Sequence, residues 1–259
     1  MPDSKSIEYE NNQLAEVICQ LCFPTILSID TREPAELQEA VRQDFPKYML
    51  QVEKLPPING SQQRQVNNYS FISEDGGYKL SLTKNFLALS TVRYTNWDDF
   101  ARWLDQPLGM FISIYKPAYF ERVGLRYVNA FSREKLGLTD CRWDELIAPR
   151  YLSVLNGIPS EADVTKASVD VEMKLSGEIR AKIHAGPGFI KRNIRMGNQI
   201  RSVQDKERRF IFDEDIFVAG NISLQSSAET LGSVHIEADR LFSESITDKL
   251  HNAMNPVYN

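Results

Sequence analysis

The sequence contains little cysteine and little histidine, three of each in 259 residues. Three cysteines are too few for a disulfide framework. Cys19 and Cys22 form a C-x-x-C pair, but they fall on a predicted strand, where residues three apart point to opposite faces. The sequence has no second C-x-x-C and no cysteine–histidine pair with zinc-site spacing. We therefore predict that these two cysteines are small buried residues and not a redox or zinc site.

Motifs for nucleophilic catalysis and for phosphate binding are missing as well. His184, His235 and His251 occur in none of the metal-binding spacings. No G-x-S-x-G sequence is present to carry a serine nucleophile, and the glycine patterns of nucleotide-binding loops are absent. His235 lies on the apolar stripe of a predicted helix, which indicates a core histidine. These absences favour a protein that has no cofactor and no enzymatic activity.

Long apolar runs and a strong excess of one charge are also lacking. No segment approaches the roughly 20 apolar residues that cross a bilayer. Residues 1–13 are polar and lack the apolar core of a signal peptide. The formal net charge is -5 and the sequence pI is near 5.4, which gives no global attraction to nucleic acid or to anionic membranes. We expect a cytoplasmic protein without a membrane partner.

Two turn signals predict a three-stranded antiparallel meander in the first half of the chain. Asp75-Gly76 is a strong two-residue hairpin signal, and a second tight turn is predicted at Lys84-Asn85. With these turns Leu80 comes opposite both Phe71 and Leu89, so that one face of the meander is apolar. A shift of one residue would destroy this agreement, and the register is therefore well specified.

The remaining periodicity predicts the fold class. Alternation predicts a strand at 14–23, and 3.6-residue periodicity predicts a long helix capped by Asn96 and another that begins near Ser227. We predict an α+β fold of antiparallel β-meanders backed by long helices. We expect two related α/β-sandwich halves, 1–135 and 136–259, which either form separate domains or pack as one unit.

One segment is locally basic and looks like a mobile loop. Residues 191–209 carry seven cations against the two acids Asp205 and Glu207; the cations are Lys191, Arg192, Arg195, Arg201, Lys206, Arg208 and Arg209. Such a loop can contact phosphates or an acidic protein partner, although a solvated loop is the simpler interpretation. If the loop is the contact, replacing Arg192, Arg195 and Arg201 with serine weakens partner binding.

Two further groups of charged residues lie on predicted strands. Arg122 and Arg126 share a strand face on either side of Gly124, where they either line a groove or pair with carboxylates of a neighbouring strand; pairing is favoured. Asp213 and Asp215 share another strand face and are weak candidates for holding Mg²⁺ or Ca²⁺. A solvated strand end is the favoured interpretation of the two aspartates.

Several segments together are similar to one protein family. They are the strand Leu14–Phe23, the end of a helix at Phe45-Pro46-Lys47-Tyr48, the strand Arg122–Asn129, the run Phe212-Asp213-Glu214-Asp215 and the segment Leu241–Thr247. The chain resembles, over nearly its whole length, a sporadically distributed bacterial and archaeal family of uncharacterised proteins. The resemblance implies prokaryotic origin and patchy inheritance, which fits toxin–antitoxin and phage-defence loci. It brings no active-site residues.

Three functions are compatible with these observations. The first is a non-enzymatic protein-interaction module of a toxin–antitoxin or phage-defence system, which requires a protein partner. The second is a nucleic-acid-binding protein that uses the basic 191–209 segment and the Arg122/Arg126 face. The third is a metal-dependent hydrolase that uses Asp213 and Asp215. The absence of catalytic motifs favours the first.

Overall fold

The computed structural model of the chain describes residues 7–55, 64–196 and 199–258. The described residues divide into two compact units. Unit 1 lies within Met1–Ala15, Tyr127–Asp215 and Ile236–Asn259, and unit 2 within Glu16–Arg126 and Ile216–His235. Each unit is assembled from separate segments of the chain. The predicted halves 1–135 and 136–259 stay a prediction.

The helices and strands have the following bounds. The helices are α1 (Leu27–Thr31), α2 (Ala35–Val41), α3 (Trp97–Tyr115), α4 (Ser227–Ser243) and α5 (Asp248–Ala253). The strands are β1 (Ile7–Tyr9), β2 (Leu14–Cys22), β3 (Lys47–Leu55), β4 (Arg64–Ile72), β5 (Tyr78–Leu82), β6 (Phe86–Thr91), β7 (Phe120–Phe131), β8 (Val169–Lys174), β9 (Arg180–Gly188), β10 (Lys191–Met196), β11 (Gln199–Gln204), β12 (Arg209–Ile222) and β13 (Pro256–Tyr258).

The strands form one large sheet and two small ladders. The large sheet has nine strands in the order β3-β4-β5-β6-β2-β7-β12-β9-β8. β1 pairs with β13 and β10 pairs with β11 in antiparallel ladders. The sheets are mostly antiparallel and are accompanied by helices, which confirms the predicted α+β class. None of the described helices combines the length and the apolar character needed to cross a bilayer.

Unit 2 contains the predicted meander in the predicted register. Leu80 lies opposite Phe71 on β4 and opposite Leu89 on β6, and all three side chains are fully buried. Gly76 in the first turn has a φ of 73°, a left-handed conformation that glycine adopts without the steric cost imposed by a Cβ. Turn chemistry and hydrophobic alternation therefore specify the same pairing.

Helix α3 supplies the layer that covers the apolar face of this meander. Its N-terminus is capped as predicted, because the Asn96 side chain accepts a hydrogen bond from the backbone N–H of Asp99 at 2.9 Å. The Trp103 ring stacks on Tyr78 of β5 at 4.3 Å between ring centroids. Phe111 packs against Phe23 with centroids 4.7 Å apart. The core of unit 2 lies between α3 and these strands.

Unit 1 has a core of its own, built around aromatic residues of β12. Phe210 packs against Trp143 with ring centroids 5.3 Å apart, and Phe212 packs against Tyr151 at 5.1 Å. All four side chains are buried. Ile211 and Asp213, on either side of Phe212, are partly exposed, whereas Glu214 is buried.

Candidate protein-binding edge

Strand β3 ends the nine-stranded sheet, and its described side chains, from Lys47 to Val52, are all exposed. Four large apolar side chains are among them, with exposed fractions of 43% for Tyr48, 40% for Met49, 39% for Leu50 and 47% for Val52. Edge strands of natural sheets usually carry charges, proline or a bulge that prevents pairing with another chain. Residues 48–52 contain neither charge nor proline, so this edge is unprotected.

The apolar face of unit 2 continues onto β3 without a cover. Tyr48 lies opposite Phe71, and Leu50 lies opposite Tyr69. Phe71 and Tyr69 are 0% and 2% exposed. Tyr48 and Leu50, which lie opposite them on the same face, are 43% and 39% exposed. The core therefore stops at β4, while the apolar pattern of the sheet runs one strand further.

Strand β3 is held firmly although its side chains are exposed. It pairs with β4 from Lys47 opposite Ile72 to Leu55 opposite Arg64. Phe45, two residues before the strand, is 1% exposed and packs edge-on against Trp103 with ring centroids 5.5 Å apart. This anchoring presents the strand in an extended conformation before any partner binds, which reduces the entropy cost of binding.

The outer side of β3 offers main-chain hydrogen-bonding groups. Among the described strands, β3 pairs only with β4. In an antiparallel ladder alternate residues direct their N–H and C=O groups away from the partner strand. An extended segment can bind such groups as an additional strand, and side chains at alternate positions then provide specificity.

The other exposed large apolar side chains of the described chain are scattered. They are Leu27, Val92, Val154, Phe189, Val203, Ile236, Val257 and Tyr258. In sequence they occur singly, apart from the pair Val257-Tyr258. Single exposed apolar residues are normal on protein surfaces. The run on β3 differs because four of five consecutive residues are apolar and exposed.

Within the basic segment 191–209, residues 191–196 and 199–204 form two antiparallel strands, so the prediction of the segment as a loop was wrong. β10 and β11 pair from Lys191 opposite Gln204 to Met196 opposite Gln199. The side chains of Lys191, Arg192, Arg195 and Arg201 lie outside the part of the chain whose side chains the structure describes. The signal for the hairpin was Gly197-Asn198, a two-residue turn sequence that lies outside the described residues.

Arg208 and Arg209 are engaged in contacts within unit 1. Arg208 donates from Nη1 to the carbonyl oxygen of Val164 at 2.6 Å and from Nη2 to that of Thr165 at 3.2 Å. Arg209 forms ion pairs with Asp205 at 3.0 Å and with Glu207 at 3.2 Å, and its side chain is only 12% exposed. Both guanidinium groups are therefore engaged within unit 1 at the start of β12.

Arg122 contacts an amide oxygen and an aromatic ring. Nη1 donates to Oε1 of Gln20 at 3.3 Å, and the guanidinium lies 4.6 Å from the ring centroid of Phe217. Gly124 makes room for this side chain, because a Cβ there would come within 2.7 Å of Nη1. Arg126 is exposed on the same strand. The cation–π contact and the amide help to hold Arg122 in place, and the favoured pairing of Arg122 and Arg126 with carboxylates of a neighbouring strand stays a prediction.

The acidic run on β12 has one residue whose burial the sequence pattern did not reveal. Asp213 and Asp215 are partly exposed, but Glu214 between them is 2% exposed, and its Oε2 has no hydrogen-bond partner. Burial raises the pKa of Glu214 well above its ordinary value, and the nearby Asp239 and Asp213 raise it further. Burial also raises the pKa of Asp239 to about 6. No group of three or more acidic, histidine or cysteine residues converges to hold a metal in the described chain.

The cysteines and His235 lie where alternation and periodicity place them. Cys19 is fully buried, and burial raises the pKa of its thiol to about 12, whereas Cys22 on the opposite face is partly exposed. His235 is 8% exposed and stacks on Trp97 with ring centroids 4.5 Å apart. Burial lowers the pKa of His235 to about 4. The predicted core histidine is confirmed, and the two thiols do not face each other.

No protein-family model matches the chain, and no curated protein matches it. The resemblance to a sporadically distributed prokaryotic family thus stays a prediction. Function has to be argued from the geometry described above.

Sequence reasoning did not identify β3, although a signal was present. Tyr48, Leu50 and Val52 alternate with Met49 and Gln51, which is the period of a strand. The segment overlaps Phe45-Pro46-Lys47-Tyr48, which the resemblance predicts as the end of a helix, whereas the structure places Lys47 and Tyr48 in β3.

Proposed function

We propose that this chain is a non-enzymatic protein-binding module that binds an extended protein segment along the β3 edge. The observation that carries the proposal is the exposed, uncharged run Tyr48–Val52 on the last strand of the sheet. Main-chain groups of β3 supply affinity, and the side chains of alternate residues supply specificity. This moves the proposed contact from the 191–209 segment to the β3 edge.

The side chains of β3 define the kind of segment that fits. Tyr48, Leu50 and Val52 share one face, which favours apolar residues at alternate positions of the bound segment. Met49 and Gln51 share the other face together with Lys47. A segment with an apolar residue at every second position and mixed polar residues between them satisfies both faces.

The resemblance noted from the sequence supports a setting for this activity. A patchily inherited prokaryotic family fits toxin–antitoxin or phage-defence loci, in which small proteins act by binding other proteins. We propose such an accessory system as the context of the interaction. Fold alone carries no function, so this part of the proposal depends on identifying the partner.

The proposal is tested with matched variants in affinity capture from the native cell. Leu50→Lys places a charge in the middle of the edge, and Val154→Lys makes the same change at a residue that is 59% exposed elsewhere in the chain. We expect a partner that the wild-type chain and Val154→Lys retain and that Leu50→Lys loses. Amide exchange of residues 47–53 should slow when the purified partner is added.

A third variant distinguishes binding at β3 from binding at the basic segment 191–209. A triple variant with serine at Arg192, Arg195 and Arg201 should retain the same partner, because β3 lies elsewhere in the fold. Capture that depends on the three arginines and is insensitive to Leu50→Lys would refute the β3 proposal. If this capture also disappears after nuclease treatment or in moderate salt, the nucleic-acid function replaces it.

A further inference from the structure

The sequence of β3 is complementary to itself when it is read in the opposite direction. From 47 to 53 the strand reads Lys-Tyr-Met-Leu-Gln-Val-Glu. A cation stands at one end and an anion at the other, and apolar residues lie at equal distances on both sides of Leu50. An antiparallel copy of this strand therefore presents opposite charges and matching apolar residues to the original.

The symmetry of a dimer limits how two such edges can pair. Two identical strands that pair antiparallel side by side are related by a two-fold axis perpendicular to the sheet. This axis keeps each face of the sheet on its own side, so directly opposite residues must have the same parity. Only registers centred on a residue meet this condition.

The register centred on Leu50 satisfies both faces. On one face Leu50 lies opposite Leu50 of the second copy, and Tyr48 lies opposite Val52 on both sides of the axis. On the other face Met49 comes opposite Gln51. Position 47, a lysine, comes opposite position 53, a glutamate, at both ends of the ladder. Apolar pairs and opposite-charge pairs are the favourable cross-strand combinations.

The neighbouring registers with the required symmetry lose this match. Centring on Gln51 places Tyr48 opposite Lys54 and Met49 opposite Glu53. Centring on Met49 leaves Glu53 opposite Phe45, which is buried in the core and precedes the strand. The pattern of charges therefore selects one register.

We infer that the segment bound by β3 is β3 of a second copy of this chain, in an antiparallel dimer whose two-fold axis passes through Leu50. This inference rests on the proposed function, because it names the occupant of the same edge. The argument for a second copy is that the sequence has a lysine at position 47 and a glutamate at position 53, so that antiparallel copies bring opposite charges together at both ends of the uncovered apolar residues. The interface is isologous and closes on itself, so it ends at two chains.

The first test measures oligomeric state by sedimentation across a wide concentration range. The wild-type chain should be a dimer that dissociates on dilution. Leu50→Lys brings two lysines together at the axis and should raise the dissociation constant by at least about tenfold. Val154→Lys should leave the dissociation constant unchanged. Circular dichroism and the urea midpoint of each variant show that the fold is kept.

The second test is specific to the register. Lys47→Glu and Glu53→Lys each create two like-charge pairs across the axis, and each should weaken the dimer. The double variant restores opposite charges and should recover wild-type affinity. Positions 47 and 53 are about 20 Å apart along one strand, so they cannot rescue each other within a chain. Additive weakening in the double variant would overturn the Leu50-centred register.

The outcomes separate this inference from the proposed function. A chain that stays monomeric at all concentrations, but loses another captured protein through Leu50→Lys, refutes the dimer and supports binding of a different partner at β3. A monomeric chain whose captured proteins are all insensitive to Leu50→Lys refutes both. A dimer that Leu50→Lys leaves intact also refutes the inference, because the contact then lies elsewhere.

Discussion

Replacing His235 with glutamine should remove a specific loss of stability in acid. The imidazole is 8% exposed and stacks on Trp97, with the ring planes 15° apart. Burial lowers the pKa of His235 from its ordinary value of 6.5 to about 4, and Asp98 opposes this shift. The folded chain therefore holds the imidazole neutral at pH values where the unfolded chain has protonated it.

The sign and size of the effect follow from these two values. Because the folded pKa of His235 is depressed, its contribution to stability is complete above the unfolded value of 6.5 and is lost as the pH falls towards 4. Proton linkage gives a loss of about 2 kcal/mol between pH 8 and pH 5, and about 3 kcal/mol at pH 4. Glutamine does not titrate and removes this loss.

The effect is measured by urea unfolding at about pH 8 and about pH 5, which gives the free energy of unfolding that each variant loses between the two pH values. The wild-type chain should lose about 2 kcal/mol more than His235→Gln between the two pH values. His184→Gln is the matched control, because His184 is exposed and contacts Asp170 at 2.7 Å. This control should not reduce the acid-induced loss. Equal losses in the wild type and His235→Gln would refute the assignment of a buried, neutral imidazole.

Two further predictions concern groups that burial perturbs. Glu214→Gln should raise the free energy of unfolding at about pH 8 but not at about pH 4. The reason is that a buried carboxyl with a raised pKa costs stability as the pH rises above the ordinary pKa of 4.5. A change in urea midpoint that does not depend on pH would argue against a buried acid. In the native chain a thiol reagent should modify Cys22 and spare Cys19, whose pKa is raised to about 12. Mass spectrometry of the labelled peptides reads the result, and rapid labelling of both thiols would contradict the burial of Cys19.

Local signals were sufficient for much of the fold. The Asp75-Gly76 turn and the alternation on both sides of it predicted the pairing of Leu80 with Phe71 and Leu89, which the structure confirms. The cap at Asn96 was likewise predicted from one side chain and the periodicity that follows it. These features depend on residues close together in the sequence, where turn chemistry and side-chain period act directly.

The candidate site depended on information that local patterns do not contain. Alternation at 48–52 is compatible with a central strand as much as with an edge strand, and only the order of the sheet leaves β3 at the end. In the same way Glu214 lies on the same buried face of the strand as Phe212 and Ile216, although the charge of its side chain predicts exposure to solvent.

The α+β class, the register of the meander and the helix that begins after Asn96 can be predicted from the sequence, because each depends on interactions between near neighbours. The end of the core at β4, the engagement of Arg208 and Arg209 by carbonyl and carboxylate groups, and the exposure of Tyr48–Val52 depend on the tertiary structure. The exposure of a side chain depends on which distant segments pack together. Packing minimises the exposed apolar area of the whole unit and not that of one strand.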